Sequence, residues 1–225
     1  LNAYFLSPIA YIVMTVFLFL SGIFFFAGLV RTQEAYMRGV FLNMGIILLF
    51  ISPAISMRLL AEEARSGTIE TLMTAPVTDF QAVFGKYLAS LGFYIFLLIP
   101  TIAYPIMLSF VGNPDWGPVI SGYIGLILVG CFYMAVGILA SSLTKNQIVA
   151  AIVGFVILLV FWLIDIISAR GSGAVHEVLQ YVTLFYHLDT FVKGLIDSRD
   201  VVYYLSMSAF FLFLTVRSVE SRKWR

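Results

Sequence analysis

The sequence predicts an all-α polytopic membrane protein, one domain over residues 1–225 built on six transmembrane helices. Composition is the first reason. Hydrophobic residues make up 61% and charged residues 11% of the chain, whereas a soluble domain is usually near half apolar and a quarter charged. The second reason is clustering. No Asp, Glu, Lys or Arg occurs in 1–30, 39–57, 87–114, 116–144 or 146–164, and a spanning helix needs about 20 mostly apolar residues. The third is continuity. The runs do not alternate as barrel strands would, and a helix satisfies its own backbone groups in lipid.

Taken in order, the spans are predicted at 9–30, 39–60, 87–108, 119–141, 148–168 and 201–219. No basic region precedes the first apolar run, so a cleaved signal peptide is not expected. An even number of spans puts both ends on one side. The tail Glu220-Ser221-Arg222-Lys223-Trp224-Arg225 is basic, and placing it in the cytoplasm leaves eight Lys and Arg inside. Outside are the other five, Arg31, Arg38, Arg170, Lys193 and Arg199. The positive-inside bias therefore favours a multi-pass membrane protein with both termini in the cytoplasm. A formal charge of +1 and the lack of a basic stripe argue against nucleic acid binding. The single cysteine, Cys131, cannot form an internal disulfide.

Two connections are longer than a turn. The one at 61–86 is the most polar stretch of the chain. Ser66-Gly67 reads as a break, after which 68–74 can form about two helical turns with Ile69, Leu72 and Met73 on one side. Glu70 suits the start of that helix, and Pro76 ends it. Thr78 and Gln81 have capping-box spacing, with Val77 and Ala82 placed as a staple. Phe80, Val83, Phe84 and Tyr87 then give an apolar face leading into the third span. Periodicity leaves two readings open: an interfacial helix that seals the bundle, or a docking element for a partner.

The residues here resemble a known family. Glu62-Glu63-Ala64-Arg65-Ser66-Gly67-Thr68-Ile69-Glu70-Thr71-Leu72, followed by Ala75-Pro76-Val77, is similar to the signature of ABC-2 type transporter permeases. Five further motifs resemble the gliding-motility-type and nitrous-oxide-reductase-maturation-type subgroup. These are Ser7-Pro8-Ile9-Ala10-Tyr11, Pro53-Ala54-Ile55-Ser56-Met57-Arg58-Leu59, Pro114-Asp115-Trp116-Gly117, Ser141-Ser142-Leu143-Thr144-Lys145-Asn146-Gln147 and Asp197-Ser198-Arg199-Asp200-Val201. The resemblance implies a permease subunit that dimerises with a second permease and carries two cytoplasmic ABC ATPase subunits. It makes 61–86 the coupling segment, with Glu62, Glu63, Arg65, Gly67, Thr68, Glu70, Leu72 and Pro76 as coupling candidates. It also implies an amphipathic helix ahead of the first span. The chain has no Gly-x-x-x-x-Gly-Lys-Ser/Thr loop, so ATP and Mg are expected in the partner ATPase. No cofactor is expected in this chain, and it is not itself read as an enzyme. Two other classes compete: a non-transporting scaffold that transmits force for an ATPase, and a stand-alone channel or carrier. The second would need ionisable groups within the membrane.

Pro53, Pro100 and Pro105 each remove a helix hydrogen bond and predict kinks, hence gating, in spans two and three. In the external connection, 169–200, Leu184, Leu188, Phe191 and Leu195 recur at helical spacing, and Val175, Val178, Leu179 and Val182 do the same upstream. They predict amphipathic, re-entrant helices forming an external lid, with or without substrate contact. Asp165 lies near the outer end of span five, as a cation ligand or an interfacial residue. His176-Glu177 and His187-x-Asp189 lack an established metal-ligand spacing, so no metal is expected. Ser121/Gly125 and Gly137/Ser141 allow close packing, at a dimer face or inside one subunit.

Overall fold

In a computed structural model the described residues are 8–32, 36–66, 78–168 and 180–222. All regular elements among them are helical: α1 Pro8–Thr32, α2 Arg38–Ser56, α3 Ala61–Ser66, α4 Asp79–Leu98, a 3-10 turn Ile99–Ile102, α5 Ala103–Val111, α6 Trp116–Leu143, α7 Gln147–Ser168, α8 Leu184–Val192 and α9 Ser198–Arg222. Six stretches are long and apolar enough to cross a membrane, as expected. They are α1, α2 with α3, α4 through α5, α6, α7 and α9. The chain is therefore a multi-pass membrane protein.

The six spans do different work. The most apolar window of α6 is 83% buried inside the bundle, against 17% for α7 and 22% for α1 and for α9. α6 is thus the central post, and the other three turn most of their apolar surface outward from the bundle. Buried tyrosines tie neighbours together. Tyr94 donates its hydroxyl to the Leu126 carbonyl at 2.9 Å, Tyr133 to Gly45 at 3.2 Å and Tyr204 to Leu184 at 2.6 Å. A buried phenol needs such a partner, and a helix carbonyl can accept a second bond.

Helix starts follow side-chain chemistry. Thr78 and Gln81 form the predicted capping box, with Gln81 N donating to Thr78 Oγ1 at 3.2 Å and Thr78 N to Gln81 Oε1 at 3.0 Å. The third span therefore begins at Asp79, eight residues before its predicted start, because nothing interrupts the helix after that cap. Asp115 caps α6 by accepting from Gly117 N at 3.1 Å. Asp197 accepts from Arg199 N at 2.9 Å ahead of the last span.

The prolines act unequally. α2 runs through Pro53, and the Ser52 hydroxyl donates to Leu49 O at 3.4 Å, where a backbone N–H is missing. Pro100 coincides with the 3-10 turn that interrupts span three, and Thr101 Oγ1 donates there to Leu98 O at 2.6 Å. Pro105 breaks nothing. It falls in the first turn of α5, where its absent N–H has no helical partner to lose.

Candidate functional site

The polar connection between spans two and three is pinned to the bundle by two side chains. α2 ends at Ser56, a turn spans 57–60, and α3 follows. That change of direction strands backbone groups, and Ser141 of α6 meets them. Its hydroxyl accepts from Leu60 N and Ala61 N at 3.0 Å each and donates to Met57 O at 3.0 Å. One hydroxyl has one proton and two lone pairs, so Ser141 is fully used. The second pin is Lys86 of α4. Its Nζ donates to Leu59 O at 2.7 Å and pairs with Glu63 Oε1.

α3 has a plain two-sided design. Ala61 and Ala64 are buried beneath it, while Glu62, Arg65 and Ser66 are exposed. Two acids in the first turn and a base in the last match the helix dipole. Sequence reasoning placed 61–66 in the connection without a helix of its own, and that charge order was the available signal. The matched residues therefore divide. Glu62 and Arg65 face outward. Glu63 turns inward to Lys86, and its Oε2 is buried with no hydrogen-bond partner among the described residues. Gly67, Thr68, Glu70, Leu72 and Pro76, with Ile69, Met73 and Val77, lie outside the described residues.

Gly137 of α6 faces Ser56 of α2 so closely that an added Cβ would collide with its hydroxyl. Together with Ser141, this puts the Gly137/Ser141 pair on a contact inside the subunit. Ser121/Gly125 does the same at the other end of α6. Ser121 Oγ donates to Phe191 O at 2.6 Å, and a Cβ on Gly125 would lie 2.8 Å from Phe191 Cβ.

At that opposite end α8 is driven into the bundle rather than laid on its surface. Leu184, Leu188 and Phe191 are all buried, with Leu188 between Gly45 of α2 and Gly125 of α6. Leu195 departs from the expected face and is 62% exposed. The helix stops before it in a Schellman motif. Gly194 has φ +92°, Gly194 N donates to Phe191 O at 3.0 Å and Leu195 N to Thr190 O at 3.2 Å. Of the upstream set, Val182 is described, while Val175, Val178 and Leu179 lie outside the described residues, as do His176 and Glu177.

His187 does not pair with Asp189. Its Nδ1 sits 2.6 Å from Asp200 Oδ1 of α9, its Nε2 is 3.2 Å from the Tyr181 carbonyl, and its ring stacks on Tyr203 at 4.0 Å. The carbonyl accepts only, so Nε2 carries a proton. Both partners are buried, and Asp200 Oδ2 has no hydrogen-bond partner among the described residues. Asp189 instead takes Arg38 at 2.7 Å and Lys193 at 2.6 Å. Partial burial pushes its carboxyl up, but the hydrogen bonds and charges of Lys193 and Arg38 outweigh this and hold it below the usual carboxylate range.

The architecture is thus a central post gripped at both ends, by a polar clasp at the end shared by the termini and by an apolar wedge at the other. A family model described as ABC-2 family transporter protein matches residues 32–216, from the last residue of α1 into the final turns of α9. The comparison with curated proteins returned no match. The chain belongs to the ABC-2 family of transporter proteins.

Proposed function

We propose that this chain is the permease subunit of an ATP-driven transporter and takes its force from a separate cytoplasmic ATPase at the coupling segment 61–86. The observation that carries the reading is the clasp. One short helix is tied to span four through Ser141 and to span three through Lys86, so a push on α3 reaches three spans at once. Glu62 and Arg65 are the exposed groups for the partner, and the Glu63–Lys86 pair passes the load inward. The family signature that Glu62 and Glu63 match supports the same assignment. ATP and Mg are held by the partner, and the clasp end with both termini faces the cytoplasm of a bacterial inner membrane. A second permease completes the pathway. We read the chain as a gliding-motility-type or nitrous-oxide-reductase-maturation-type permease, a reading supported by the resemblance of its motifs, with the wedge of α8 closing the outer end of the path.

The test is uncoupling. The complex is purified with its ATPase and reconstituted, and ATP hydrolysis and cargo flux are followed together. Glu63→Arg sets two cations against each other at Lys86. Hydrolysis should persist while flux falls about tenfold or more, with the helical content unchanged. Gly67→Pro should act in the same direction. Wild-type flux in both variants would overturn docking at this segment. An ATPase complex without any flux would instead identify a force-transmitting scaffold.

A further inference from the structure

We propose that the cavity between α2, α7 and α8 binds an ammonium group carried on an apolar body, with the Asp165 carboxylate as its counter-charge. The cavity measures about 240 Å³, and Leu42, Asp165, Ser168, Thr183, Phe185, Tyr186 and Asp189 are among the residues that line it. Sites for whole drug-sized molecules run from about 300 Å³ upward, so the space suits a head group whose tail lies in the surrounding lipid.

Both charged side chains that line it are acids, Asp165 and Asp189. Asp165 lies three residues from the end of α7, roughly 4.5 Å along the helix, and a carboxylate inside a spanning segment is costly unless something meets it. Asp165 forms no salt bridge among the described residues, and Asp189, the other acid, is already matched by Arg38 and Lys193. The Thr183 hydroxyl reaches Asp165, yet its single proton is shared with the Gln180 carbonyl at 2.9 Å. Ser168 points independently to a ligand. The residue is 2% exposed, lines the cavity, and its hydroxyl has no hydrogen-bond partner among the described residues. The polar wall thus offers acceptors and negative charge, and Phe185 and Tyr186 add aromatic surface of the kind that attracts organic cations. An anion would meet Asp165 unshielded.

The chemistry fits either the amine head group of a membrane phospholipid or a free amphiphilic amine. Trp162, one turn before Asp165, serves as reporter once Trp116 and Trp224 are changed to Phe. The full chain is placed in phosphatidylglycerol nanodiscs and titrated with a primary-ammonium nitroxide, which quenches tryptophan, and with a carboxylate nitroxide as control. We expect saturable quenching by the cation alone. Asp165→Asn should raise its half-point about tenfold, Asp165→Glu should keep it within about threefold, and Tyr186→Leu should raise it roughly threefold. Equal half-points for Asp165→Asn and the parent, or equal quenching by the carboxylate probe, overturn the site. If Asp165→Asn does not fold, the Tyr186→Leu shift decides, and no shift there counts against the site. Adding phosphatidylethanolamine separates the sources. A raised half-point shows the lipid amine occupying the site, and an unchanged one assigns it to free amines. No ATPase enters the assay, so its failure leaves the uncoupling test untouched.

Discussion

The two long connections grip the same helix by opposite means. At the end with both termini, α3 rests on two alanines and is held by a hydroxyl and an ammonium group that bind backbone atoms. At the other end α8 is held by shape, with Leu188 and Phe191 filling the notches that glycines leave, and by a His–Asp contact shut away from water. Polar bonds can be exchanged for a partner's groups as a segment shifts, most readily at the partly exposed Lys86–Glu63 pair. A wedge cannot move without opening a cavity, whose cost grows with the volume left empty. One chain thus carries a fastening suited to receiving displacement and another suited to staying closed.

The sharpest way to break the wedge is at its polar heart. Asp200→Ala leaves His187 Nδ1 buried and unmet, and should cost about 3 kcal/mol, read as a lowered melting temperature of the purified chain in detergent. The double variant His187→Phe with Asp200→Leu removes both buried polar groups and should recover a good part of that loss. If the double variant is as unstable as the sum of the singles, the pair is not the coupled unit described. A smaller effect is expected at the clasp. Ser141→Ala strands two amides and one carbonyl at a buried site, where a slight shift of α3, still tied to Lys86, can partly relieve the loss and hold it to about 1–2 kcal/mol. Coupling should suffer more than stability, with altered flux per ATP in a chain that still folds. A stability loss as large as that of Asp200→Ala would mean that the two connections do not differ in kind.

The spans were legible because apolar runs and charge gaps are local properties, and so was the Thr78/Gln81 cap, whose two partners sit three residues apart. Two of the motifs prove to be helix starts: Asp115 caps α6, and Asp197 precedes α9. Pro100 was legible as an interruption, while Pro105 was misread because its harm depends on where the new helix begins. Ser141 was legible as a small residue but not as a clasp. Its partners at Met57, Leu60 and Ala61 lie more than 75 residues away in sequence, and nothing local marks them. His187 was read beside Asp189, two residues on, yet helical geometry turns these side chains apart and brings Asp200 of another helix to the ring. Leu195 was placed on the buried face because periodicity was carried past Gly194, whose place after the last turn is a stop signal.

The smallest expected effect is electrostatic and tests whether the wedge depends on its charged rim. Asp189 is anchored by Arg38 from span two and Lys193 from its own helix, and its carboxyl is held below the ordinary range. A group lowered in the folded state contributes stability above its unfolded value, near about 3.9, and loses it as pH falls through the lowered folded value. Both cations are about half exposed, at 51% and 50%, so solvent and salt screen the bridge and its worth is small. Amide protection of α8, followed by hydrogen exchange and corrected for intrinsic rates, should be constant from pH 7 to 5 and drop slightly between about pH 4 and pH 2. Asp189→Asn should show the lower protection throughout and no step. Added salt should shrink the difference between the two chains, because a rim contact is screened while the Leu188 wedge is not. A step that survives in Asp189→Asn would assign the acid response to another carboxylate and take the Asp189 rim out of the anchoring of α8.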